Sequence, residues 1–220
     1  MMADVMFESE ERVLRVVVDA AVELTALPDT LESAREQARV SVVLIELGGR
    51  DAEAPVASFD WLPRFELPVI CAFEGALDGS LAALALGCDV RVCGAEASFD
   101  VPEPALGRTR RLVRDADALA RAAGGGRFTA YEALECGLVS KVLEPGMAGG
   151  EALRMATVMA SRGPIALRLA KEAIWRGLEM PLEQALRFET DLTLLLQTTK
   201  DRAEGVRAFM EKRAPRFTGE

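Results

Sequence analysis

Short apolar segments alternate with amphipathic segments along the first half of the chain. Apolar, β-branched runs that are too short for a helix predict strands, whereas apolar residues at every third or fourth position predict helices. The strands predicted in this way are 12–19, 41–47, 68–73 and 89–93, and the helices between them are 28–39 and 80–88. Residues 41–47 are almost uniformly apolar, which indicates a strand buried on both faces. The alternation predicts an α/β fold.

A glycine-containing turn at 74–79 joins the strand at 68–73 to the helix at 80–88. A helix that begins at such a turn presents backbone N–H groups and the positive end of its dipole at one point. That point can hold a phosphate, or an oxyanion that develops during a reaction. The same pattern is typical of a tight turn that only packs a helix on a sheet, and pattern alone leaves both interpretations open.

The second half of the chain is mostly helical. Thr129 and Glu132 have the spacing of a capping box, which predicts a helix start there and an end near Gly137. A strand is predicted at 139–143, and helices are predicted at 151–161, 164–178, 181–198 and 201–213. In the helix at 164–178, an apolar stripe at helical spacing predicts a core-facing side. The stripe comprises Ile165, Leu169, Ala173 and Trp175.

Histidine is absent from the 220 residues, and its absence excludes several classes of site. No Ser–His–Asp or Cys–His nucleophile system and no histidine-ligated zinc can be built within this chain. Proton transfer must therefore use a carboxylate, Lys, Tyr or Cys. The formal net charge of −9 argues against binding to nucleic acid or to an anionic membrane.

The four cysteines form no Cys-x-x-Cys pair and lie among apolar residues, so we expect buried free thiols and no metal site. They are Cys71, Cys88, Cys93 and Cys136. The first eleven residues lack the apolar core of a signal peptide, and no apolar run reaches the roughly 18 residues that span a bilayer. These features predict a cytoplasmic protein.

Four segments, taken in order, resemble the enoyl-CoA hydratase/isomerase family, also called the crotonase superfamily. They are residues 67–97 (LPVICAFEGALDGSLAALALGCDVRVCGAEA), 98–107 (SFDVPEPALG), 129–143 (TAYEALECGLVSKVL) and the helical tail from 167 to 220. The resemblance implies a spiral of strand–strand–helix units over 1–145, followed by a helical trimerisation region over 146–220. It also implies an acyl-CoA thioester as substrate, no further cofactor, and a homotrimer or hexamer.

The resemblance assigns roles to several residues. The family binds the thioester oxygen with two backbone N–H groups while that oxygen gains enolate charge. One donor maps to Ser80, next to Gly79, and Ala54 is the nearest match for the other. The family's two catalytic glutamates map to Ala83 and Glu103, so one carboxylate is missing. Because double-bond isomerisation needs only one base, whereas hydration uses two carboxylates, isomerase-like proton transfer by Glu103 is favoured, with Glu103 buried beside the thioester. The alternative is that Glu103 is a loop glutamate between two prolines that only faces water.

Other positions depart from the family pattern. The loop after the strand at 41–47 lacks the Ala-x-Gly-Ala-Asp motif that holds CoA, and the charged segment 108–112 is either a phosphate-binding site or a solvated turn. Asp78 either replaces the missing carboxylate or only forms the turn. Phe209 and Lys212 fall where the family packs a helix over a neighbouring subunit's CoA. The alternatives are a non-catalytic acyl-CoA-binding homologue or partner subunit, and a related reaction such as thioester hydrolysis or decarboxylation.

Overall fold

The structure is a computed structural model that describes residues 4–8, 12–18, 24, 27–37, 40–48, 59–113 and 115–220. Its strands are β1 (Asp4–Glu8), β2 (Val13–Val18), β3 (Val42–Leu47), β4 (Val69–Phe73), β5 (Ala76–Leu77), β6 (Val90–Gly94), β7 (Ser98–Phe99), β8 (Phe128–Thr129) and β9 (Lys141–Leu143). Its α-helices are α1 (Leu27–Gln37), α2 (Gly79–Gly87), α3 (Leu106–Leu112), α4 (Ala116–Ala123), α5 (Ala130–Glu135), α6 (Ala148–Ala160), α7 (Pro164–Gly177), α8 (Leu182–Gln197) and α9 (Lys200–Glu211). Single 3₁₀ turns cover Leu62–Arg64 and Glu103–Ala105.

The strands form two sheets that the chain visits in turn. The main sheet has the order β1-β2-β3-β4-β6-β9, in which β1 is antiparallel to β2 and the other pairs are parallel. The small sheet has the order β5-β7-β8. The chain passes from β4 to β5 and then into α2, and it passes from β6 to β7 and then into the second 3₁₀ turn and α3. This repetition confirms the predicted α/β spiral of strand–strand–helix units.

Both faces of the main sheet are covered, which is why its central strands are apolar at consecutive positions. Along β3, Val43 and Ile45 join the core that contains α2 and the small sheet, whereas Val42 and Leu44 face α6. The side of α6 that meets the sheet carries buried alanines four residues apart, and their small side chains suit close packing of a helix on strands. These alanines are Ala148, Ala152, Ala156 and Ala160.

Helix α2 is enclosed on all sides. Every residue from Ser80 to Gly87 is buried, and this explains why the segment is apolar around its whole circumference rather than along one stripe. Only its first turn reaches the rim of the fold, beside the end of the small sheet. The packing around α2 therefore holds the N-terminal end of this helix, with its free backbone N–H groups, at a fixed position.

Several predicted elements are confirmed, and others were missed. Thr129 and Glu132 form the capping box, and Gly137 adopts a φ of +85°, a left-handed conformation that suits glycine after a helix. Segment 108–112 belongs to helix α3 rather than to a turn. Strands β1, β5, β7 and β8 and helices α3 and α4 were not predicted, and β5 lies within the segment 74–79 that was expected to be only a turn.

Side-chain burial differs in part from the predictions. In the predicted stripe of α7, Leu169 is buried, whereas the other three members are half-buried. Cys71, Cys88 and Cys93 are buried free thiols as expected, while Cys136 is only partly buried. In the part of the chain that the structure describes, no helix is both long and apolar enough to cross a bilayer. The division of the chain into a spiral core over 1–145 and a helical trimerisation region over 146–220 stays a prediction.

A buried ion pair attaches α7 to the main sheet. Lys171 Nζ lies 2.7 Å from Asp89 Oδ2 and donates to the carbonyl oxygens of Leu62 at 3.1 Å and Leu67 at 2.9 Å, so all three ammonium protons have acceptors. Asp89 also accepts from Trp175 Nε1 at 2.7 Å. Burial lowers the pKa of Lys171, and the neighbouring Asp89 charge opposes that shift. Such a network is costly to break because each remaining group stays buried.

We therefore expect Lys171→Met to lower the free energy of unfolding by about 3–5 kcal/mol, the usual cost of removing one partner from a buried ion pair. Denaturant unfolding followed by circular dichroism measures the change. The control is Lys141→Met, because the Lys141–Glu151 pair is exposed on the lysine side and should contribute no more than about 1 kcal/mol. Equal losses in the two variants would contradict a structural role for the buried pair.

Candidate active site

The first turn of α2 begins at a backbone conformation that requires glycine. Asp78 is the N-cap residue with φ −133° and ψ 164°, and Gly79 has a φ of +50°. A side chain at position 79 would be strained in this left-handed region. Ser80 follows within the first turn and is 1% exposed. Backbone N–H groups of a first helical turn point back along the axis, toward the end of the small sheet.

The second part of the site comes from β7. After Phe99 the chain continues through Asp100 and the extended Pro102, and Glu103 starts the 3₁₀ turn. This turn packs against α2. Because β5 and β7 are parallel neighbours, they deliver the start of α2 and the Glu103 turn to the same edge of the small sheet. The structure therefore brings Gly79, Ser80 and the Glu103 segment together.

The side chain of Glu103 is exposed in this single chain. This corrects the expectation that Glu103 is buried, since β7 and the proline-flanked turn hold it at the rim rather than inside the core. Ala83, at the other family carboxylate position, is 3% exposed within α2. Position 83 therefore contributes no acid, and α2 contains no ionisable residue.

A row of charged residues crosses the end of the small sheet, and no periodic pattern in the sequence predicts it. Strand register pairs Leu77 with Phe99 and Phe99 with Phe128, so the next residues in line are Asp78, Asp100 and Arg127. Arg127 Nη1 donates to Asp78 Oδ1 at 2.6 Å. The three residues lie where α2 starts, next to the Glu103 segment.

Arg127 is held by further contacts on the same face. Its Nε donates to Ser98 Oγ at 2.9 Å, and its Nη2 donates to the carbonyl oxygen of Leu77 at 3.1 Å. Asp78 thus uses its side chain in an ion pair and does not cap α2 with it. Asp78 is accordingly more than a turn residue, because it anchors Arg127 across the small sheet.

The remaining predicted residues lie elsewhere or outside the described part. Ala54 falls outside the described residues, as do the side chains of the arginines at 108, 110 and 111. Phe209 is 85% exposed on α9, and Lys212 follows as the left-handed C-cap of that helix with φ 53°. Both side chains are therefore accessible to another molecule.

Comparison with known proteins agrees with this geometry. Residues 53–220 match the family model described as enoyl-CoA hydratase/isomerase. The 2,3-dehydroadipyl-CoA hydratase of Escherichia coli K12 is 39% identical over 167 residues, covering 72% of this chain and 66% of that protein. The probable mitochondrial enoyl-CoA hydratase 2 of Arabidopsis thaliana is 36% identical over 173 residues, covering 73% of this chain and 56% of that protein. The matches thus span less than two thirds of these relatives.

Among solved structures, the enoyl-CoA hydratase of Bacillus anthracis superposes with a TM-score of 0.85 and 27% sequence identity, with 100% of both chains covered. The strand–strand–helix spiral, the buried helix α2 and the family match over residues 53–220 agree with one another. The chain belongs to the enoyl-CoA hydratase/isomerase family.

Proposed function

We propose that this chain acts on an enoyl-CoA thioester through an enolate held at the start of α2. The backbone N–H of Ser80, beside Gly79, binds the thioester oxygen as it gains negative charge, and Ala54 supplies the second donor. Glu103 moves the proton. The observation that carries the proposal is the parallel pairing of β5 with β7, which brings a helix N-terminus and a carboxylate to one edge. One such donor contributes about 2.7–4 kcal/mol of transition-state stabilisation.

Only one of the two catalytic glutamate positions of the family carries a carboxylate in this chain, and this favours isomerisation of a 3-enoyl to a 2-enoyl thioester over hydration. Glu103 removes a proton from C2 of the substrate and returns it to C4, so a single base completes the reaction. With alanine at position 83, the residue pair that the family uses for hydration is incomplete. The relatives named as hydratases support the enoyl-CoA substrate class, and the isomerase preference is our inference from the residues of this chain.

A neighbouring copy of the chain completes the proposed site. The helices after α6 expose many large apolar side chains, a pattern typical of a surface that another protein covers. They include Ile174, Leu178, Leu182, Leu186, Leu194, Leu195, Phe209 and Met210. A homotrimer or hexamer would bury this surface, and Phe209 and Lys212 would then lie over the CoA of the adjacent subunit. The partner would also help exclude water from the exposed Glu103.

A non-catalytic role in acyl-CoA binding, alone or as partner subunit of another CoA enzyme, is the second candidate. It is favoured by the exposure of Glu103 together with the alanine at position 83. The two functions differ in one measurable respect, because only an enzyme converts a bound enoyl thioester.

We expect Glu103→Gln to abolish turnover of 3-enoyl-CoA thioesters while the fold and CoA-thioester binding are retained, because the amide cannot accept the proton. Positioned proton transfer accounts for about 10²–10⁴ in rate, and a loss of that size is expected in kcat. Product analysis by chromatography measures turnover, and calorimetric titration measures binding. Glu96→Gln, an exposed glutamate in the turn before β7, is the matched control and should retain full activity.

Unchanged kcat in Glu103→Gln would refute the assignment of the base. Binding of CoA thioesters by the unaltered protein, with no turnover of any enoyl substrate tested, would favour the non-catalytic candidate. Absence of both binding and turnover would overturn both candidates.

We expect Phe209→Ala to raise KM for the CoA thioester roughly tenfold without lowering the stability of the subunit. Burying a phenylalanine against a ligand contributes about 1.5–3 kcal/mol, whereas in the single chain its side chain is 85% exposed. Steady-state kinetics and thermal unfolding measure the two quantities. Met210→Ala is the control, since Met210 is 76% exposed and points about 100° away around α9. Equal KM changes in the two variants would contradict the proposed contact.

A further inference from the structure

The chain reverses its direction at Lys212, where α9 ends. Lys212 has a φ of 53°, and the only other non-glycine residue with a positive φ in the described part of the chain is Arg12. This left-handed conformation is unfavourable for a residue with a side chain and persists only where the surrounding contacts impose it. The backbone N–H of Lys212 donates to the carbonyl oxygen of Phe209 at 3.2 Å, and that of Arg213 donates to the carbonyl oxygen of Ala208 at 3.0 Å.

Arg213 attaches the reversed chain to the side of α9. Its Nη1 and Nη2 donate to the two carboxylate oxygens of Glu204 at 2.6 and 3.0 Å, and its Nε donates to Glu211 Oε2 at 2.6 Å. The contact with Glu204 is bidentate, so it fixes the plane of the guanidinium as well as its position. Hydrogen bonds from Arg213, and then from the backbone N–H of Arg216, lower the pKa of Glu204 to about 2, so the pair stays charged at neutral pH.

The segment after Arg213 runs back along α9 toward its start. The third acidic residue of the helix, Asp201, is 6% exposed and accepts hydrogen bonds from the backbone N–H groups of Thr218 at 2.6 Å and Gly219 at 2.9 Å. All three acidic side chains of α9 are thus engaged by the segment that follows Lys212.

Lys212 itself is exposed and makes no side-chain hydrogen bond or ion pair within the part of the chain that the structure describes. Phe209, three positions earlier in the last turn of α9, is 85% exposed. An aromatic ring can stack on a nucleobase, and an ammonium group binds phosphate. The end of α9 therefore offers both chemical groups that the nucleotide part of CoA requires.

We propose that Arg213 is a positioning residue, which maintains the left-handed conformation of Lys212 through its ion pairs with Glu204 and Glu211 and so directs the Lys212 ammonium toward the nucleotide part of CoA. The inference rests on the proposed function, in which Lys212 lies over the CoA of the adjacent subunit. Arg213 acts in two ways. It stabilises the chain reversal, and it occupies the two carboxylates that would otherwise compete with phosphate for Lys212.

Arg213→Gln and Glu204→Gln both test the proposal, because each removes the charged pair and keeps a side chain of similar size. Calorimetric titration measures Kd for butyryl-CoA and for the butyryl thioester of pantetheine, two saturated thioesters that the protein can neither hydrate nor isomerise. We expect each variant to raise Kd for butyryl-CoA about tenfold, as Lys212→Ala does, which corresponds to the loss of one charged hydrogen bond. Kd for the pantetheine thioester should not change, because that ligand has no nucleotide part.

Arg154→Gln is the matched control. Arg154 also makes a two-bond contact with a carboxylate, that of Glu151, but it lies on α6. Its replacement should leave both dissociation constants unchanged. The double variant of Arg213→Gln with Lys212→Ala should bind butyryl-CoA no more weakly than Lys212→Ala alone, because a positioning residue acts only through the residue that it positions.

The inference is overturned if Arg213→Gln and Glu204→Gln bind butyryl-CoA as the unaltered protein does, or if the losses in the double variant multiply. Equal weakening of both thioesters would also overturn it, since a general structural defect has that effect. In all three cases the proposed function stands. If Lys212→Ala binds butyryl-CoA normally, the proposed contact of Lys212 fails and the inference fails with it. If the unaltered protein does not bind butyryl-CoA, the proposed function itself fails.

Discussion

The enclosure of α2 is the constraint on which the arrangement of the site depends. A helix that is apolar on all sides must be surrounded, here by the main sheet and the small sheet, and its backbone N–H groups can then meet solvent or ligand only at its first turn. The glycine conformation at position 79 fixes where that turn begins. The polar end of a buried helix and the rim of the small sheet therefore coincide, and this coincidence creates a point where developing negative charge can be stabilised.

Periodicity predicted the elements with strong patterns. The strands at 41–47 and 68–73 and helix α2 were correctly expected because long apolar runs specify burial on both faces, and the Thr129 capping box marked a helix start by local chemistry alone. Strands β7 and β8 contain two residues each, which is too short for any alternation to appear. Their pairing is set by packing of Phe99 on Phe128, a tertiary contact that no local window contains.

The candidate site was predictable only in part for the same reason. Family resemblance located Gly79, Ser80 and Glu103, but the exposure of Glu103 depends on how its turn meets the rest of the fold. Asp100 and Arg127 lie 27 positions apart in sequence and become neighbours through the register of β7 with β8. The row holds two aspartates and one arginine, with Asp100 in the middle, and this excess of negative charge becomes visible only when the strands are paired. The sequence does show a charged residue next to each of the two stacked phenylalanines, since Asp100 follows Phe99 and Arg127 precedes Phe128.

The alanine face of α6 also has a consequence for how the protein is made. Strands β2, β3, β4 and β6 are complete once residue 94 has left the ribosome, but their outer face stays uncovered until residues 148–160 follow. At about 5–20 residues per second this delay lasts several seconds. During that interval the nascent chain presents a parallel sheet with one bare apolar side, so translation speed across 95–160 sets the period in which chaperones compete with aggregation.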